Sequence, residues 1–212
     1  MTDMSEETGA RAAIRFTVTP KGLAPRWLVQ ALGRRLRRAA RRLGIAPAAL
    51  PGLSVHLIDD PAIARLNAQH MGKAGPTDVL SFPAGEAPES PLLGDVVISV
   101  DAIRRQARAR LGIVDVAQGT GVKRQVLWGV VVETGSKGHV WPDLVQGTAE
   151  AEAAIDEATV LAIHGLCHLL GHDHGRAAEA RAMHRDERRA LRAADTSDVP
   201  RPYGLRPERN RG

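Results

Sequence analysis

A single cysteine, Cys167, excludes a disulfide within the chain and is consistent with a reducing compartment. Aromatic residues make up only 3% of the sequence, whereas alanine and arginine abound, a bias of composition more than a signal of function. No apolar run approaches the roughly 20 residues needed to cross a bilayer. The opening stretch, MTDMSEETGARAA, carries acids and lacks an apolar h-region, so it does not read as a signal peptide. Internal repeats are absent. The expected compartment is the cytoplasm, with no membrane partner.

What is present points to one folded domain. The 212 residues are 43% hydrophobic and 25% charged, enough to bury a core within ordinary domain length. The formal net charge is +5, carried largely by arginine. A basic surface favours polyanions, because each neutralised phosphate releases a condensed counterion. On charge alone, ribosomal RNA, other RNA and acidic membranes all stay open.

The pattern along the chain divides it. Residues 1–12 read as a disordered leader. Ile14 to Thr19 alternates apolar and polar side chains as a half-buried strand does. Pro25 opens a helical pattern through Leu28, Ala31, Leu32, Leu36, Ala39, Ala40 and Leu43, with Gly44 as its stop. The opposite face carries Arg34, Arg35, Arg37, Arg38, Arg41 and Arg42. Such a run is commonly a solvated face, and it is also a candidate phosphate contact. Leu53 to Ile58, Asp78 to Phe82 and Gly94 to Val100 give three further strands. Asp60-Pro61 supplies an N-cap and first residue for a short helix to about Gln69. Asp101 to Leu111 reads as helix.

Residues 112–155 interrupt the pattern and fit no core. Glu157 to Leu170 is apolar on nearly all sides, as a central buried helix is. Ala177 to Ala194 gives a charged last helix, and 195–212 reads as a disordered basic tail rich in proline and arginine. Four strands mixed with helices gathered late in the chain predict an α+β fold.

Chemistry concentrates at His164-Gly-Leu-Cys-His168-Leu-Leu-Gly171-His172-Asp173-His174, which holds four of the eight histidines. His164 and His168 stand at i and i+4, one turn apart on one helix face. Gly171 can adopt a positive φ, end the helix and let the chain return with His174. Three neutral imidazoles with a vacant fourth position describe a catalytic zinc site, whereas structural sites usually close with four ligands. Several imidazoles in an apolar setting are costly to desolvate unless something coordinates them. Cys167 points partly off that face and reads as a small core residue. His172 lies in the turn, while Asp173 either bonds a liganded imidazole or caps the turn. A metalloprotease of the H-E-x-x-H type places its general-base glutamate directly after the first histidine. Gly165 stands there, which disfavours peptide hydrolysis.

The motif H-G-x-x-H-x-x-G-x-D-H resembles the signature of the YbeY family, bacterial endoribonucleases that act as rRNA maturation factors. Leu66 to Pro83 (LNAQHMGKAGPTDVLSFP) and Leu93 to Ser99 (LGDVVIS) match in the same order, and Met183 and Glu187 resemble residues of the family's last helix. The resemblance covers roughly residues 14–111 and 157–192. It implies one α+β domain, spanning 13–194, with a mixed sheet and a metal-holding cleft. It also implies one zinc ion on His164, His168 and His174. The expected activity is cleavage of single-stranded RNA in rRNA maturation, at the 3′ end of the small-subunit rRNA, and in ribosome quality control. Its partners would be rRNA precursors and a ribosome or ribosomal protein, with no DNA. Ser81 is similar to a serine lining the family's cleft, although a strand-end hydroxyl bonded to backbone explains it as well. The family usually has Tyr-Arg where this chain has His70-Met71. Methionine cannot clamp a phosphate as arginine does, which leaves Lys73 or another arginine to substitute.

Three classes of function follow: a metal-dependent endoribonuclease, an assembly factor that binds pre-rRNA and uses the metal for structure, and a hydrolase of another substrate. In the first, a metal polarises a phosphoryl oxygen or acidifies water.

Overall fold

The computed structural model describes residues 13–21, 23–85, 93–116, 123–127, 130–134 and 145–196. The leader 1–12 lies outside these residues, as does the tail apart from Asp195 and Thr196.

All four expected strands form within a residue or two of their read boundaries. They are β1 (Arg15–Thr19), β2 (Leu53–Ile58), β3 (Val79–Pro83) and β4 (Gly94–Ser99). Their order across the sheet is β1-β2-β4-β3. β1, β2 and β4 run parallel, and β3 pairs antiparallel with β4 at one edge. The fold is therefore α+β around a mixed four-stranded sheet.

Strand alternation sorts side chains between the two faces. Val55, Leu57, Val96 and Ile98 enter the main core with helix α1 (Arg26–Arg42). Ile58, Val97 and Leu80 form a smaller cluster on the other face with Ile63 of helix α2 (Asp60–Met71). The cap of α2 differs from expectation. Asp59, not Asp60, is the N-cap, its carboxylate accepting from the Ala62 amide at 2.9 Å. Asp60 instead accepts a hydrogen bond from the Ser99 hydroxyl at 2.5 Å and pairs with Arg105 of helix α3 (Val100–Arg110).

The segment 112–155 is less barren than the sequence implies. Within it, β5 (Val114–Val116), β6 (Lys123–Leu127) and β7 (Val130–Thr134) make a three-stranded antiparallel sheet. Its last part belongs to helix α4, which runs Ala149–Leu169 and so begins two turns before the expected Glu157. Thr148 caps it, accepting from the Ala151 amide at 3.2 Å.

The acids that disguised this start are paired with distant arginines. Asp156, 5% exposed, accepts from Arg35 of α1 at 2.5 Å and from Arg110 of α3 at 3.3 Å. Arg110 also lies 3.7 Å from Glu157, and Arg108 bonds Glu150 at 3.3 Å. Partners brought by other helices let these acids lie in the interior, which is why local hydropathy understates this helix.

α4 packs against α1, α3, β3, β4 and the last helix, α5 (Ala177–Ala193). It lies close against the sheet at Gly165. A Cβ added there would lie 2.6 Å from Val96 Cγ1 and 2.9 Å from Ser81 Oγ. None of the described helices is long and apolar enough to cross a membrane.

The burial of α4 has two measurable consequences for stability. Burial raises the Glu157 carboxyl above the ordinary carboxylate value, against the opposing pull of Arg110. The folded chain thus holds that proton to higher pH than the unfolded chain does. The cost is absent below an ordinary pKa of about 4.3 and grows as pH rises through the folded value. Glu157→Gln should therefore match the parent Tm at pH 4 and exceed it at pH 8, by ~2–4 °C per kcal/mol, in calorimetry at both pH values. Gly165→Ala should lower Tm, because overpacking strain of about 1–3 kcal/mol outweighs the ~1 kcal/mol that alanine adds in helix propensity.

Candidate metal centre

The last two turns of α4 carry His164, 6% exposed, and His168, half-buried on the same face. The helix then stops in a Schellman arrangement: Gly171, at φ 83°, donates to the His168 carbonyl at 3.0 Å, and His172 donates to the Cys167 carbonyl at 3.1 Å. This reversal returns exposed His174 over the helix end. One ring nitrogen from each of His164, His168 and His174 lies within 4.8 Å of the others. The ring centroids stand 4.7, 5.6 and 5.1 Å apart for the 164–168, 164–174 and 168–174 pairs.

Hydrogen bonds on the outer sides of the rings decide which nitrogens face inward. His164 Nδ1 lies 2.7 Å from Glu187 Oε1, and His168 Nδ1 lies 3.0 Å from the His172 carbonyl. Both oxygens accept, so each Nδ1 is the protonated donor and each Nε2 bears a lone pair. Those two Nε2 atoms face one another at 3.1 Å. Two lone pairs at that distance repel unless a cation lies between them. Tetrahedral zinc with bonds of 2.0–2.1 Å sets its nitrogens about 3.3 Å apart. The residues present therefore fit a metal ion, and the gradient from buried His164 to exposed His174 leaves the open side toward solvent.

Burial, and next the adjacent His164, hold the His168 imidazole below its ordinary pKa. Its ring is thus neutral near neutral pH, as a ligand must be. Asp173 accepts from the His174 amide at 2.7 Å, and that bond holds its exposed carboxyl below the ordinary range. Of its two anticipated roles, capping the turn is the one observed.

The remaining sequence candidates fall as follows. Ser81, on the α4-facing side of β3, donates to the Gly165 carbonyl at 3.1 Å, the backbone-bonded alternative. Cys167 is wholly buried in the main core. The His172 ring is turned away to Asp186 of α5 at 3.5 Å. Met71, at the end of α2, is 45% exposed, and Lys73 is exposed in the loop that follows. The residue given no role by sequence reasoning is Glu187. It is 7% exposed on the buried face of α5, alongside Ala180, Met183 and Ala190. A carboxylate occupying an apolar register of an amphipathic helix was the available signal.

A family model described as Endoribonuclease YbeY matches residues 26–115 and 144–195. A curated relative from Anaeromyxobacter sp. (strain Fw109-5), "Endoribonuclease YbeY", is 38% identical over 162 residues, covering 76% of this chain and 64% of that protein. The protein of the same name from Thermus thermophilus is 32% identical over 181 residues, covering 84% of this chain and 96% of its own. The chain spans 64–65% of the length of two of the curated relatives it matches, those from Anaeromyxobacter and Parvibaculum lavamentivorans. A Thermotoga maritima protein solved in solution overlays at a TM-score of 0.39 with 19% identity, covering 89% of this chain and 99% of that one, too loosely to carry weight. With its family model matched across most of α1 to α5 and its histidine motif folded into one cluster, this chain belongs to the endoribonuclease YbeY family.

Proposed function

We propose that this protein is a metal-dependent endoribonuclease of single-stranded RNA, with residues 13–194 as its catalytic domain and zinc on His164, His168 and His174. The carrying observation is the inward pair of Nε2 atoms at 3.1 Å, each fixed by a bond on the far side of its ring. Relatives covering most of this chain bear the name endoribonuclease, which supports RNA as the substrate. The net charge of +5 suits a polyanion. Processing at the 3′ end of small-subunit rRNA, a part in ribosome quality control and a cytoplasmic site are the finer reading, resting on the family resemblance.

A bound divalent cation supplies Lewis acidity at a phosphoryl oxygen and at water. The chain's own residues do the positioning. Glu187 orients His164 and fixes its tautomer, and the His172 carbonyl does the same for His168. Gly165 lets α4 sit close to β3, and the Ser81 hydroxyl ties the strand to that point. This bond favours a seating role for Ser81 over a catalytic one. Gly165 also speaks against peptide hydrolysis, since a glutamate there would have to enter the space filled by Val96 and Ser81.

A second reading is an assembly factor that binds pre-rRNA around a structural metal. It draws on Met71, exposed where the family usually has arginine.

Purified protein should carry one equivalent of zinc by elemental analysis and cleave single-stranded RNA, while His168→Ala should lose both. Equal cleavage by the two proteins would expose a contaminating nuclease and sink the assignment. RNA binding and metal retention without cleavage would favour the assembly reading. Glu187→Gln keeps an acceptor but removes the charge behind His164, and should weaken metal affinity about 10–100-fold in chelator competition. Unchanged affinity would mean that Glu187 only packs α5.

A further inference from the structure

On the sheet face opposite α4, a cavity of about 390 Å³ opens between α2 and strands β2, β3 and β4. Its apolar base is formed by Ile58 and Val97, which are 8% and 5% exposed. Four other side chains give it character. The His70 and Phe82 rings meet edge to face at one wall, with centroids 5.0 Å apart. His56 Nε2 lies 3.0 Å from Asp95 Oδ1, and both side chains reach the opening, at 32% and 50% exposure.

We infer that this cavity is a subsite for one unpaired nucleobase of the RNA strand, preferring bases that carry an exocyclic amino group; this rests on the endoribonuclease reading. The volume lies in the range of small-molecule sites, roughly 300–1,000 Å³. Its lining includes neither lysine nor arginine, and the Asp95 carboxylate repels phosphate. A flat apolar ring fits instead, stacking against Phe82 and His70 as unpaired bases do on aromatic side chains. At the rim, Asp95 accepts from an amino group, the pairing by which carboxylates read cytosine N4. Uracil offers carbonyl oxygens at the corresponding edge, which face the carboxylate unfavourably.

The position relative to the metal centre follows from β3. It is an edge strand, and its consecutive residues point to opposite faces. Ser81 touches α4, the helix that carries His164 and His168, and Phe82 lines the cavity. A single strand crossing this edge would place a phosphate at the histidines and a base behind β3.

The test uses nucleosides, which cannot be cleaved. Adenosine, cytidine and uridine would be titrated into the metal-loaded protein while the His56 and His70 imidazole resonances are followed by NMR. Adenosine and cytidine should shift both resonances and bind at least about threefold tighter than uridine. Asp95→Asn should abolish that preference, and His70→Ala, at an exposed position, should weaken all three nucleosides about tenfold. Phe82→Leu, which keeps the apolar contact, should do the same if its Tm is near the parent's. Resonances that stay still to the solubility limit, or equal affinities unaffected by Asp95→Asn, overturn the subsite. If RNA is nevertheless cleaved, the subsite alone has failed. If bases bind as expected but metal-loaded protein cuts no RNA, the endoribonuclease reading has failed.

Discussion

Helix α4 reaches the sheet through Gly165, where no side chain separates its backbone from Val96 and Ser81. That contact sets the height and rotation of the helix over β3 and β4. Turning Gly165 inward to the sheet places His164 and His168 on a neighbouring face, one turn apart, where their rings converge. A bulkier residue at 165 would push the helix outward and move both imidazoles with it. The convergence of the histidines is therefore a consequence of close packing as much as of their spacing.

A helix buried on nearly all sides has to dispose of its charges, and α4 does so at its other end. Asp156 and Glu157 sit in the interior because Arg35 and Arg110 reach them from two different helices. The ion pairs tie α1 and α3 to the first half of α4, while Glu187 ties α5 to its second half through His164. The carboxylate behind the ligand thus serves the fold and the site at once. It holds α5 against α4 and fixes the tautomer that turns a lone pair inward.

Much of this was legible in the sequence, for identifiable reasons. Strands with clean alternation and α1 with its apolar stripe are set by local pattern, and each formed close to where it was read. The three histidines were legible because helical spacing and a glycine stop are local too. The start of α4 was not, because its buried acids make sense only with arginines 46 and 121 positions away. The capping threonine Thr148 is the one local mark of that start. Glu187 went without a role because its partner is 23 residues back, and burial rather than residue type reveals it. Adjacent Asp59 and Asp60 offer the same cap, and only the Ser99 and Arg105 contacts show which one is occupied elsewhere.

The packing at Gly165 also bears on which substrate such a centre suits. Peptide hydrolysis on an i, i+4 histidine pair draws its proton acceptor from the residue after the first histidine. Here that residue has no side chain and faces the sheet, and the buried glutamate nearby bonds the far nitrogen of a ligand. RNA makes a smaller demand on the protein. It carries a hydroxyl beside each scissile phosphate, so the nucleophile need not be recruited and activated from bulk water. Under the proposed reading, that hydroxyl's proton would pass to solvent water or to water on a bound cation, and the chain would hold the phosphate against the cation in one orientation. The outer hydrogen bonds of His164 and His168 would then fix that cation's place, and β3 would offer the strand an edge to cross. Under that reading, a helix lying this close to the sheet has no room for a peptidase's base yet keeps two imidazoles converging on one face.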